Sequence, residues 1–125
     1  KGWIGWVKSA NAALTSVTTG ESIGTTGAVN SAPSVCQVNS DCYVLDADLT
    51  TTGSGTGSLA IDAEYLGVGT SDGGTLSTTF QPFASRTGKT AGDVITLIAK
   101  ASMVATKAAG ADYTDTLTVV GAGSF

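Results

Sequence analysis

Two cysteines are the most reactive side chains in this sequence. Cys36 and Cys42 bracket Gln37 to Asp41, a stretch whose Asn39, Ser40 and Asp41 are turn formers. Thiols at this spacing either close a small disulfide loop or serve as a metal or redox pair. Metal sites usually recruit further Cys or His, and the chain has only these two Cys and no His. The residues therefore favour a disulfide, which implies an oxidising compartment.

Carboxylates are the other candidates for chemistry. Asp46 and Asp48 share one face of an alternating segment, and Asp62 and Glu64 share one face of another. Paired as a hairpin, the two segments would gather four acids, enough to offer oxygen ligands to calcium or to act on a glycosidic bond. No Asp-rich loop with calcium-site spacing supports the first idea. Aromatic residues for stacking sugars make up only 6% of the chain, against the second. A solvated face of an amphipathic sheet is the expectation, with no cofactor. The absence of His removes a histidine general base and every histidine-based triad. No nucleophile elbow or dinucleotide fingerprint occurs, and the glycine-rich run Gly53 to Ser58 lacks the Lys of a phosphate loop. The chain reads as a non-enzyme.

Elements must position whatever function remains, and composition limits them. The 125 residues fit one domain, with 42% hydrophobic but only 13% charged residues. Thr, Ser and Gly replace the charged helix formers, which favours short strands and turns. A net charge of −4 with six scattered Lys and Arg excludes the basic stripe that a nucleic-acid partner needs. No run reaches the roughly 18 apolar residues of a membrane-spanning helix. The chain opens on Lys1 rather than Met, which reads as a processed form.

Along the chain, Trp3, Trp6, Val7, Ala10, Ala13, Leu14 and Val17 recur at spacings of three and four, which predicts a short N-terminal helix. Such a helix either caps its own core or docks on a partner. Residues 18–34 read as linker, with an edge strand near Gly27 to Val29, and residues 35–125 as the folded domain. Alternation over Tyr43 to Leu49, Leu59 to Tyr65 and Leu76 to Phe80 predicts strands, with Asp72-Gly73 as a hairpin turn and Pro82 as a stop. Val94 to Met103 and Tyr113 to Val120 complete the set, ahead of a small-residue tail ending in Phe125. No helical crossover separates these strands, so the sheets are antiparallel and the fold is an all-β sandwich.

The C-terminal third is the most specific part. Ile95 to Met103, an Ala-rich loop, and then Gly110-Ala-Asp-Tyr-Thr-Asp-Thr-Leu-Thr-Val119 resemble the last two strands of archaic chaperone–usher pilins and spore coat protein U-like domains. Gly110, Tyr113, Asp115, Thr116, Leu117, Val119 and Phe125 stand at the matching positions. What the resemblance implies is an incomplete immunoglobulin-like sandwich, completed by a strand from a neighbouring subunit. The close spacing of Cys36 and Cys42 and the helical pattern at the N-terminus depart from that family.

A structural subunit of a secreted, cell-surface filament is the leading expectation, joined to copies of itself or to a companion pilin. Trp3, Ile4, Trp6, Val7, Leu14, Val17, Tyr113, Leu117, Val119 and Phe125 are its candidate contact residues. Contact by an N-terminal arm, with Thr15 to Val29 as the strand candidate, stands beside helix docking of the type IV pilin kind. A carbohydrate-binding adhesin module and a viral or phage structural protein are the alternatives of other classes.

Overall fold

The computed structural model describes residues 1–124, and among them there is no helix. The strands in chain order are β1 (Gly2–Ser9), β2 (Ala13–Thr15), β3 (Ser22–Gly24), β4 (Ser34–Val35), β5 (Cys42–Thr51), β6 (Ser54–Gly55), β7 (Leu59–Ile61), β8 (Asp72–Gly73), β9 (Gln81–Arg86), β10 (Thr90–Ala91), β11 (Val94–Ser102) and β12 (Leu117–Ser124). All pairings are antiparallel: a four-stranded sheet β12-β1-β9-β7, the long pair β5-β11, and the short pairs β2-β3, β4-β8 and β6-β10.

The core lies between the four-stranded sheet and the β5-β11 pair. Val7 from β1 and Phe83 and Ala84 from β9 meet Tyr43, Leu45 and Ala47 from β5, with Ile23, Tyr65 and Leu76 filling the space between. Strand β5 is buried on both faces over its first half, because Val44 packs on the other side against the Cys36–Cys42 disulfide.

The N-terminal helix predicted from sequence is a strand. Spacings of three and four over so short a stretch fit period two nearly as well, and Trp, Ile and Val favour the pleated form. Trp3, Gly5, Val7 and Ser9 turn inward, while Ile4, Trp6 and Lys8 turn outward. Gly5 lies under the Phe83 ring, where a Cβ would come within 2.7 Å of Cζ. Docking of a tryptophan-bearing helix is therefore not open to this segment. Residues 1–34 also do not stand apart from the rest, since β1 is an interior strand, Ile23 belongs to the core and Leu14 packs against it.

The predicted edge strand near Gly27 to Val29 and the strand over Leu76 to Phe80 do not form, the strand predicted from Tyr113 begins at Leu117, and other boundaries moved. The predicted strand over Leu59 to Tyr65 stops at Ile61, and residues 63–65 form a turn. Asp72-Gly73 pairs with Ser34 and Val35 as β8 instead of turning a hairpin. Pro82, read as a strand stop, lies instead inside β9, which begins at Gln81. It is tolerated there because β7 pairs only with Ala84 to Arg86, and because the register against β1 shifts between Gly5 and Trp6. That bulge also lets Phe83 and Ala84, adjacent in sequence, both face the core.

Candidate functional site

Polar clusters hold the loops of this molecule, and each has a structural occupation. The Arg86 guanidinium meets the Asp93 carboxylate at 2.5 Å and donates to the Gly53 and Thr56 carbonyls. Asp93 also accepts the Trp3 indole N–H at 2.9 Å and the Gly53 N–H at 2.8 Å. Burial pushes the Asp93 carboxyl up, but the hydrogen bonds from Trp3, Gly53 and Thr90 and the Arg86 charge outweigh it and hold it below the ordinary value. The Gly53 to Ser58 run, glycine-rich and flexible by composition, is thereby fixed against β9. A second cluster joins Ser9 and Tyr43, whose hydroxyls both donate to Asp115 Oδ2. A third joins Lys107 to Asp41 at 2.7 Å and to the Ser22 carbonyl.

The four acids considered for calcium do not converge. Strand β5 pairs with β11, not with β7, so the hairpin that would gather them does not form. Asp46 is buried and paired with Lys100 at 2.7 Å, and it accepts the Gly67 N–H. Asp48 is exposed. Asp62 accepts the Glu64 N–H, and Glu64 accepts the Asn30 N–H at 2.8 Å. Among the described residues no group of three His, Cys, Asp or Glu is placed to hold a metal ion.

Glu64 is 3% exposed, and one of its carboxyl oxygens has no partner. Burial pushes this carboxyl above its ordinary 4.5, against hydrogen bonds from Asn30 and Thr75. Asp112 shows the opposite case: the Ser16 hydroxyl and the Thr18 N–H hold its carboxyl down at about 2, against an ordinary 3.8. The folded chain binds the Glu64 proton more tightly than the unfolded chain, so acidification from neutral pH toward 4.5 adds stability. Asp112 has the depressed value, so its contribution is present above 3.8 and is lost as pH falls toward 2. The melting temperature is expected to rise and then fall on acidification. In Glu64→Gln the rise disappears, and in Asp112→Asn the fall below 3.8 is reduced. An undiminished rise in Glu64→Gln would exclude Glu64 as its source.

The contact residues expected from sequence divide into three sets. Val7 is core at 1% exposure, and Trp3, Leu14, Tyr113 and Leu117 pack against that core. Val7 is thus corrected from contact residue to core, because its inward side chain lies under the β5 layer. Ile4, Val17 and Val119 are exposed, and Trp6 is half-buried beside Phe80 and Val120. Phe125 lies outside the described residues. The N-terminal segment and the C-terminal strand, read from sequence as separate contact surfaces, pair with each other: Val7 opposite Val119, Trp6 opposite Val120, Ser9 opposite Leu117. Tyr43 and Tyr65 are buried and so offer no ring face to a sugar.

Among the described residues the long open strand edges are those of β11 and β12, while the three-residue β7 ends the four-stranded sheet on its other side. Strand β12 is paired only with β1, and β11 only with β5, so each has one edge without a strand partner. Their core-facing side chains are also uncovered. Val119 shares the inward face with Val7, yet is 51% exposed. Ala99 and Ala101 share the inward face with Leu45 and Tyr43 and are exposed as well. Ile95, Leu97 and Leu117 reach the core but are only partly buried. The sandwich therefore lacks cover along its last two strands. Sequence reasoning named Leu117 and Val119 as contact residues; it put Ala99 and Ala101 on the same face as Ile95 and Leu97 without counting them as contacts, since alternation does not show which strand is left uncovered. Phe80 was taken as a strand residue; it stands outside the sheet beneath the Lys8 ammonium, 5.0 Å from the ring centre.

No helix among the described residues is long and apolar enough to cross a membrane. No protein-family model matches the chain, and no curated protein or solved structure matches it either.

Proposed function

We propose that this chain is a structural subunit of an extracellular assembly, a pilin-like one, and that neighbours join it by adding strands at its open edges. One observation carries the reading: inward-facing side chains on β11 and β12 reach solvent beside backbone edges that have no partner. A folded chain leaves core-facing apolar groups and a row of unpaired N–H and C=O groups exposed at a cost, and an incoming strand relieves both. Sparse charge and abundant Thr, Ser and Gly suit a surface covered by neighbours. The Cys36–Cys42 disulfide suits an oxidising compartment. The likeness of residues 110–119 to the last strand of chaperone–usher pilins supports the same reading.

The partner is another copy or a companion subunit. The segment Thr15 to Val29 is committed in part to its own hairpin, Ala13–Thr15 with Ser22–Gly24, so the added strand has another source. Size-exclusion chromatography with light scattering and negative-stain microscopy, run over a range of concentrations, test the reading. Oligomers or fibres are expected. A protein that stays monomeric alone and with every companion subunit offered would sink it.

A further inference from the structure

The open edges of β11 and β12 are not equivalent. Strand β11 carries Lys100, and its register against β5 is broken between Val94 and Ile95. A charge and a bulge are devices by which natural sheets blunt an edge. Strand β12 has neither. Leu117 to Ser124 holds no charged residue and no proline, and all eight residues run in unbroken register with β1.

Side-chain size along β12 is self-complementary. On the inward face the order is Leu117, Val119, Gly121, Gly123: two large residues, then two glycines. A Cβ built on Gly121 would meet nothing within 4 Å, so that space is empty. An antiparallel copy of β12, turned about a two-fold axis through Val120, places Val119 opposite Gly121 and Leu117 opposite Gly123. Opposed residues in such a pair face the same side of the sheet, so inward faces stay inward.

Charge points the same way. Lys1 and Lys89 line the hollow beside Gly123 and Ser124 at one end of β12. Asp115 stands just before the other end, anchored to Ser9, with Asp112 beyond it. The two-fold axis brings the lysine end of each copy to the aspartate end of the other, which favours the pair between chains that are otherwise net negative.

We infer that the occupant of the β12 edge is the β12 strand of a second copy, forming an isologous dimer with one continuous sheet twice as wide. The inference rests on the assembly reading above and names its first contact; the β11 edge stays free for the next neighbour. The outward apolar residues Ile4, Trp6, Phe80 and Val120 of the two copies then lie on one surface.

Cysteine cross-linking tests this, because both native cysteines are bonded to each other and an introduced thiol is the only free one. At the two-fold axis residue 120 faces its own mate, with Cα atoms about 4.5–5.5 Å apart in an antiparallel pair, within disulfide range. Val120→Cys, oxidised in dilute solution, is expected to give a covalent dimer that reducing agent dissolves, and Ile98→Cys on β11 at most a tenth as much. The substitution Val120→Lys should weaken association at least tenfold while leaving the circular dichroism spectrum of the monomer unchanged. Oligomers that persist in Val120→Lys, or that cross-link through Ile98 and not Val120, overturn the β12 contact and leave the assembly reading standing. A wild-type chain that is monomeric on its own in the same experiments overturns the β12 contact, and the assembly reading falls with it only if the chain also stays monomeric with every companion subunit offered.

Discussion

Tyr65→Ala is expected to lower the unfolding free energy by about 3–5 kcal/mol, the range for removing a large buried aromatic ring. Tyr65 is the largest fully buried side chain, at 0% exposure. Its ring packs where Gly74 leaves room, since a Cβ there would come within 2.6 Å of Cδ1. Its hydroxyl donates to the Thr75 carbonyl at 3.1 Å, and its own carbonyl accepts the Ala47 N–H at 2.8 Å. The backbone carbonyl holds the turn after β7 to β5, while the side chain packs against β5 in the core and ties the turn to the segment before β9. Burial, followed by the nearby Glu64 and Asp62 charges, pushes the phenol well above its ordinary 10, so it remains a donor across the working pH range. Tyr65→Phe separates the two contributions: it keeps the ring, orphans the Thr75 carbonyl, and is expected to cost about 1–3 kcal/mol. Urea denaturation monitored by tryptophan fluorescence measures both. Since small domains hold about 5–15 kcal/mol in total, Tyr65→Ala takes a large share. A loss below about 1 kcal/mol in Tyr65→Ala would mean that the ring is not at the centre of the core.

Arg86→Met is the second large effect. Breaking a buried ion pair by removing one partner typically costs about 3–5 kcal/mol, because the other charge is left buried without compensation. The side chains of Arg86 and Asp93 are 4% and 5% exposed. Arg86 also donates to two carbonyls of the Gly53 to Ser58 loop, so its loss frees that loop from β9. Trp3 reports on the event directly, since its indole N–H is bonded to Asp93. Its emission is expected to shift to the red in the variant. Arg86→Met combined with Asp93→Leu should be more stable than Arg86→Met alone, because no charge is then left unpaired. If the double variant is no better than the single one, the loss comes from the loop contacts and not from the stranded carboxylate.

Much of this fold is legible in the residues, though unevenly. Strand β5 appears as the alternation Tyr43, Leu45, Ala47, Leu49, and β11 as a run rich in Val, Ile and Thr. Both patterns arise from the pleat itself, which any neighbour would preserve. The N-terminal segment was misread for a physical reason: in a stretch with two glycines and few polar markers, periods of 3.6 and 2 are nearly degenerate. The pairing with β9 and β12 decides it, and those partners, Gln81 to Arg86 and Leu117 to Ser124, lie far away in sequence. Pro82 was read as a strand stop because a proline removes a ladder donor. Only the short reach of β7 and the bulge opposite Gly5 and Trp6 reveal that the donor is not needed there.

The candidate site shows the same division. Cys36 and Cys42 could be paired from sequence, because turn formers lie between them and no His or third Cys offers a metal site; the two Cα atoms are 5.4 Å apart. The four carboxylates could not be placed, since their convergence depended on which strands pair, and β5 took β11 instead of β7. Leu117 and Val119 were visible as apolar residues, but nothing local distinguishes a covered strand from an edge. The residues themselves determined that this is a disulfide-bonded, antiparallel all-β chain without histidine chemistry, because those properties follow from composition and local period. The tertiary structure alone decided that Trp3 anchors a buried ion pair, that Val7 is core, and that β11 and β12 are left open. Each of those depends on which distant strand lies alongside, and main-chain hydrogen bonding between strands is indifferent to local sequence.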